Sequence, residues 1–379
     1  MRIYIHVPFC ARRCSYCAFA IAVRRDTPSA AFLEAIRTEW LLRKDHPVWK
    51  DAGPIESVYF GGGTPSRLAT DTLAEIMGLL ASGHVVDPAC EITLEANPDD
   101  VTLDRASAWS AAGINRVSLG IQSFEPRVLE WMHRTHTTEQ VGPAVATLRS
   151  AGFDNLSFDL IYGLPGFLAR DWEADLDRAL TLDPQHLSLY ALTVEAHTPL
   201  AHWRSRGVVV SAPQEDAATE FLIANQRMVA AGFEHYEVSN AAKPGFRAGH
   251  NSGYWKGDRY LGLGPSAHSA WHDSHPGDGV LPLRGERHRS WNRREWEAYR
   301  HAVSGGQDPL AGTETLTDAE TLLEDCYLGL RTDAGVPQHL IPSENKEVWE
   351  REGWAGHTDG RLRLTLEGWL RLDALVAQL

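Results

Sequence analysis

RIYIHVPFCARRCSYC, residues 2–17, decides how the chain is read. RIYIHV reads as a strand; Pro8 ends it, and Cys10, Cys14 and Cys17 follow in the spacing C-x3-C-x2-C. The chain holds only five cysteines, so three on one stretch ask for a chemical reason. Positions i, i+4 and i+7 also share one face of a helix, where three thiols could simply be buried. Against that, Pro8 and the strand make the segment a loop entry, and Arg12 and Arg13 sit between the first two thiols. Zinc would accept three thiolates and one further ligand, but structural zinc sites usually come as two separated pairs. Cys90 and Cys326 are isolated and read as ordinary buried thiols. Three thiolates on a short loop suit an iron–sulfur cube, and three ligands to four irons leave one iron open for a small-molecule chelate.

The bulk numbers set limits around that loop. The chain has 379 residues, enough for one large α/β domain and a smaller one. Lys and Arg number 36 against 50 Asp and Glu, a net charge of −14, which argues against a general nucleic-acid binder. No apolar run approaches the roughly 20 residues that span a bilayer. Met1-Arg2 leads straight into the first strand with no signal peptide in view, so a cytoplasmic location is expected. In a reducing compartment clustered thiols favour metal over disulfide.

Strands at 2–7, 55–60, 91–96, 116–123, 155–163, 186–193 and 233–240 alternate with helices at 29–43, 70–82, 103–113, 137–152, 170–182 and 215–232. Single helices between strands imply parallel pairing through right-handed crossovers. The expected fold is α/β, a full or partial (β/α) barrel over residues 1–240. GGGTPS, EANPDD, GIQSF and YGLPG all follow strands and mark the rim that carries chemistry in such barrels. Residues 241–300 are a connecting segment of little periodicity, and 301–379 a small α+β C-terminal domain, with a terminal helix and a hairpin within RLRLTLEGWL.

The loop resembles the signature of radical S-adenosylmethionine proteins: C-x3-C-x2-C after a first strand, with Tyr16 before the third cysteine. The resemblance implies that Cys10, Cys14 and Cys17 hold a [4Fe-4S] cluster, with S-adenosylmethionine on the open iron. It assigns cofactor contacts to Tyr4, Tyr16, Gly62, Gly63, Thr64, Glu95, Gln122, Arg134 and Asp159. Residue by residue the chemistry agrees. Glycines let a backbone approach closely, though a plain tight turn would also use them. A guanidinium at Arg134 suits a carboxylate, and Glu95 and Asp159 suit hydroxyls or an ammonium.

Over nearly the whole chain YIHVPFC, GGGTPS, GIQSF and DLIYGLPG are similar to the oxygen-independent coproporphyrinogen III oxidase group. One branch of that group oxidatively decarboxylates coproporphyrinogen through a 5′-deoxyadenosyl radical. The other contains haem chaperones, which bind haem as cargo and pass it to client haem proteins such as respiratory enzymes. True oxidases carry a further cysteine where Phe19 stands, and an N-terminal extension, whereas here the motif opens at Tyr4. HNSGYW at 250–255 matches the H-N-x-x-Y-W motif associated with the chaperones. The chaperone branch is therefore expected, with the oxidase as the alternative and a thiol-only redox or storage protein as a third. His250 is the candidate axial ligand to haem iron, with Tyr254 and Trp255 as flat surface for a porphyrin. His235, His268, His272, His275 and His288 receive no role. The partners expected are haem, a haem-accepting client with peripheral contact where that client is membrane-bound, and a second copy of the chain; nucleic acid is not among them.

Overall fold

The computed structural model describes residues 1–272 and 286–379; His275 lies outside the described residues. Six consecutive strands form the parallel heart of one sheet: β1 (Arg2–Val7), β2 (Ile55–Gly62), β3 (Val86–Ala96), β4 (Arg116–Gln122), β5 (Leu156–Tyr162) and β6 (His186–Ala191). Between them run α1 (Ser29–Arg43), α2 (Thr70–Gly83), α3 (Leu103–Ala111), α4 (Thr138–Ser150) and α5 (Trp172–Thr181). β4, RVSLGIQ, is buried along its whole length, as a parallel strand covered on both faces must be. α1 buries Phe32, Ala35, Ile36 and Trp40, the stripe of a helix lying on a sheet. A capping box between Thr137 and Gln140 opens α4, and Gly152, with φ +90°, turns the chain out of it.

The parallel series is shorter than the sequence implies. After α6 (Gln214–Ala230), the stretch expected as one strand at 233–240 splits into β7 (Glu234–Glu237) and β8 (Asn240–Ala242). β8 runs antiparallel to both β6 and β7, because a two-residue turn at 238–239 folds the segment back on itself. The following residues hold more structure than their composition suggests. A short helix α7 (Gly249–Trp255) leads to β9 (Tyr260–Leu263), which pairs parallel with β1 on its other side. Then β10 (His268–His272), β11 (Arg287–Asn292), α8 (Trp296–Ser304) and β12 (Leu310–Leu316) extend that edge. The sheet order is β12-β11-β10-β9-β1-β2-β3-β4-β5-β6-β8-β7. Among the described residues no pairing joins its two ends, and the mixed sheet agrees with the α/β fold expected. Past α9 (Asp318–Leu330) a three-stranded sheet, Val336–Pro337, Arg361–Leu364 and Ala355–Thr358, precedes short terminal helices. Its hairpin joins 355–358 to 361–364, upstream of where RLRLTLEGWL places it.

A buried carboxylate ties the early helix to the late edge. Glu39, with no exposed surface, accepts from Gly264 N (2.8 Å), Asn292 Nδ2 (2.6 Å) and Tyr299 Oη (2.7 Å). Arg43 Nη2 lies 3.7 Å from it. Burial alone raises its pKa, opposed first by Arg43. Removing the carboxylate would strand these donors, so Glu39→Ala should cost roughly 3 kcal/mol of unfolding free energy. Tyr299→Phe, which removes one donor only, should cost about 1 kcal/mol. Equilibrium urea unfolding reads both; equal losses in the two variants would refute the shared-anchor account.

Candidate functional site

The cysteine loop is pinned at every side by backbone. Phe9–Cys10 pairs in parallel with Ala22–Val23, closing the loop at its neck. Ala22 N donates to Pro8 O (2.7 Å) and Arg24 N to Cys10 O (2.9 Å). Midway, Ser15 N donates to Met132 O (3.1 Å), and Ser15 O accepts from Leu200 N (2.9 Å). The three thiols are unpaired and half-buried, and all face one cavity of about 360 Å3. Among the described residues no three Cys, His, Asp or Glu side chains close on a single-ion site. A set of three soft sulfur donors spread along one wall fits a cluster with several irons. Burial pushes the Cys10 thiol up to about 11 and also raises Cys17.

Strand ends supply the rest of the lining. At the end of β2, Gly63 N donates to Val7 O (2.7 Å) and Thr64 N to Phe9 O (3.0 Å), so GGGTP is tied to the cysteine loop. A Cβ on Gly63 would lie 2.9 Å from Pro8 backbone atoms, and one on Gly62 (φ +113°) 2.6 Å from the His6 ring. These glycines are required by the protein's own packing as well as by any ligand. Thr64 Oγ1 lies 3.7 Å from Cys10 Sγ. Glu95, at the end of β3, accepts from Tyr59 Oη (2.8 Å) and Gly62 N (3.0 Å). Asp159 on β5 accepts from Ser118 Oγ (3.0 Å). Gln122 is buried at φ +70°, where β4 bulges against β5 after Gly120. The bulge turns its side chain into the cavity and stores backbone strain there.

Arg134 differs from its expected use. Nη2 is committed to Asn97 Oδ1 (2.6 Å) and Gly120 O (2.8 Å), while Nη1 lies 3.6 Å from Cys14 Sγ. Burial opposes the charge, but the Tyr16 phenol and Cys14 thiol beside it outweigh burial and raise its pKa. Its guanidinium is thus a fixed cation beside a sulfur donor, with Nε buried and unpartnered. Tyr16 lines the cavity and packs on the cluster of Val128, Met132 and Ile161.

Two residues singled out from the sequence stand elsewhere. Tyr4 stacks on Tyr59 (6.0 Å, 28°) with its hydroxyl 3.2 Å from His6 Nδ1, and faces a different cavity. His250 is 1% exposed. Its Nδ1 lies 2.8 Å from Ser57 Oγ and its Nε2 2.8 Å from Tyr254 Oη. With both nitrogens engaged and burial lowering its pKa to about 3, it offers no ligand position. Asn97 and Ser118, in contrast, face the cysteine cavity and were passed over. Ser118 shares the two-residue period of Gly120 and Gln122 on β4, a signal present in the sequence.

The radical SAM superfamily pattern matches residues 4–179. "Heme chaperone HemW" of Mycobacterium tuberculosis (strain ATCC 25618 / H37Rv) is 34% identical, covering 100% of this chain and 94% of its own. "Heme chaperone HemW" of Bacillus subtilis (strain 168) is 31% identical over 96% and 95%. A mitochondrial "Radical S-adenosyl methionine domain-containing protein 1" of Mus musculus is 33% identical over 98% and 82%. Among solved structures, coproporphyrinogen III oxidase (HemN) from Escherichia coli superposes with a TM-score of 0.77 at 21% identity, over 99% of this chain and 88% of that one, a likeness of fold.

Glu95 and Asp159 give the site a pH signature. Burial, then the charge of Asp159, pushes Glu95 from 4.5 up to about 7. Burial pushes Asp159 from 3.8 up to about 6, with the Ser118 hydrogen bond opposing it. Between the unfolded and folded values the folded chain holds protons that the unfolded chain has released. The stability these groups contribute is therefore full below about pH 4 and lost as pH rises towards 7. In metal-free protein Glu95→Gln should flatten the fall of Tm across that window; a melting profile parallel to wild type would assign the dependence to other groups.

Proposed function

The chain belongs to the HemW family of radical SAM proteins, and from that membership we propose that it is a haem chaperone. It binds haem and delivers it to haem-requiring proteins, respiratory ones among them. The observation that carries this reading is full-length likeness to proteins named heme chaperones, at 31–34% identity, joined to a three-thiol loop facing one cavity.

In this reading Cys10, Cys14 and Cys17 hold a [4Fe-4S] cluster, and S-adenosylmethionine lies against Gly62, Gly63, Thr64 and Gln122. Bound there, the pair supplies one-electron chemistry. The chain's own residues set its surroundings. Arg134 places a permanent cation beside the Cys14 sulfur and offsets the charge of three thiolates. Thr64 donates towards Cys10 and favours its thiolate. Tyr16 shields the cluster side from water. Glu95 holds the Gly62 amide and Tyr59, and so positions the glycine turn. An ammonium or sulfonium close to Glu95 and Asp159 would draw both carboxyls into their charged forms.

Anaerobic reconstitution with iron and sulfide tests the reading. About four irons per chain are expected, falling sharply in Cys14→Ser, with stoichiometric haem uptake by the wild type. Conversion of coproporphyrinogen III to protoporphyrinogen IX by the reconstituted chain would overturn the chaperone reading in favour of the oxidase.

A further inference from the structure

We infer that haem sits in a second cavity, beyond the Ala18–Ala20 segment, with His268 as the iron ligand and Arg294 at a propionate. The inference rests on the haem-carrying reading above and adds a location to it. This cavity, about 560 Å3, is within the range of pockets that hold cofactor-sized ligands. Ala18 and Phe19 line both cavities, so they form the wall between them.

Haem makes three demands: flat apolar surface, a cation for its carboxylates and a neutral nitrogen for iron. Tyr254, Trp255 and Trp271 supply aromatic surface. The indole Nε1 of Trp255 is buried without a hydrogen-bond partner among the described residues. Three arginines reach the cavity, and two are committed: Arg287 to Glu324 and Asp325, Arg289 to Glu314 and Glu324. Arg294 is exposed, donates only to Ala18 O (2.9 Å) and has no acidic partner among the described residues. A guanidinium so placed can pair with a carboxylate.

Three histidines also line the cavity. His6 is buried, with Nδ1 facing Tyr4 Oη (3.2 Å) and Nε2 facing Ala20 O (2.9 Å). His272 is 2% exposed. His268 is exposed, stacks on Trp291 (6.1 Å, 28°), and has no hydrogen bond at either nitrogen among the described residues. Partial burial of the ring and then Arg289 lower its pKa, which favours the neutral imidazole that binds iron. The HNSGYW motif then acts in two layers. Its histidine anchors Tyr254 from behind, and its aromatic pair faces the ligand.

The test titrates the reconstituted full chain with haem and, separately, with metal-free protoporphyrin IX. His268→Ala should weaken haem binding by roughly tenfold or more and change its absorption spectrum, while metal-free porphyrin binds as in wild type. Arg294→Gln should weaken both ligands by about tenfold. Ala270→Trp, which fills the cavity from β10, should block both. Unchanged haem affinity and spectrum in His268→Ala would overturn the location while leaving haem carriage intact. The same spectral change from His250→Ala, with His268→Ala silent, would overturn it too. Wild-type protein that takes up neither porphyrin would instead refute the chaperone reading on which the location rests.

Discussion

The cysteine loop hangs from a backbone contact between two strand ends. β2 leaves the sheet with Gly63 N against Val7 O and Thr64 N against Phe9 O, at 2.7 and 3.0 Å. A side chain at Gly62 or Gly63 would meet the His6 ring or the Pro8 backbone at under 3 Å. The first cysteine follows Phe9 directly, so its position is set by backbone rather than by the flexible loop it begins. Gly264, at φ +97°, presses on the same strand from the other side, where a Cβ would lie 2.5 Å from His6 O. Strand β1 is therefore gripped on both flanks just before the thiols. A rigid scaffold holding a chemically active loop is the division of labour that lets loops carry function.

Charge is distributed around the loop with the same economy. The cavity brings the three thiols together with the carboxyls of Glu95 and Asp159 and the guanidinium of Arg134. Arg134 is fixed by Asn97 and Gly120 rather than by an acid, so its charge remains unneutralised until sulfur loses its proton. Glu95 and Asp159 are held partly protonated by burial. Buried charge of this kind is stabilised by a group of the opposite sign, an anion beside Arg134 and a cation beside the carboxyls. The strained Gln122 at the β4 bulge belongs with them, since positive φ at a non-glycine residue persists only where surrounding structure enforces it.

Much of this was legible beforehand, for physical reasons that also explain what was not. Apolar residues at alternate positions mark β4 (Val117, Leu119, Ile121) and β5 (Leu156, Phe158, Leu160) as strands, and rim loops announce themselves through Gly, Pro and Asn. Periodicity reports burial but not the partner. The 233–240 stretch therefore read as a seventh parallel strand, although its turn at 238–239 reverses it. β10 carries His and Trp, and β11 carries Arg287 and Arg289, whose charges are met by ion pairs with α9, so no apolar alternation marks them. His250 misled for a similar reason. A histidine before an aromatic pair looks like a ligand, but in a helix positions i and i+4 face each other, and His250 meets Tyr254 there. Ser118 could have been found from the same period that exposes Gln122.

Phe19 stands where the related oxidases carry another cysteine, and its side chain is 63% exposed. It lies between a cavity lined by thiols and one lined by aromatic rings, in a segment held by His6 at Ala20 and by Arg294 at Ala18. A thiol at this position would extend the sulfur-rich side. The phenyl instead presents flat apolar surface to both sides, one of which has the shape and chemistry for a porphyrin. Phe19 thus adds apolar ring surface to the wall that the two cavities share.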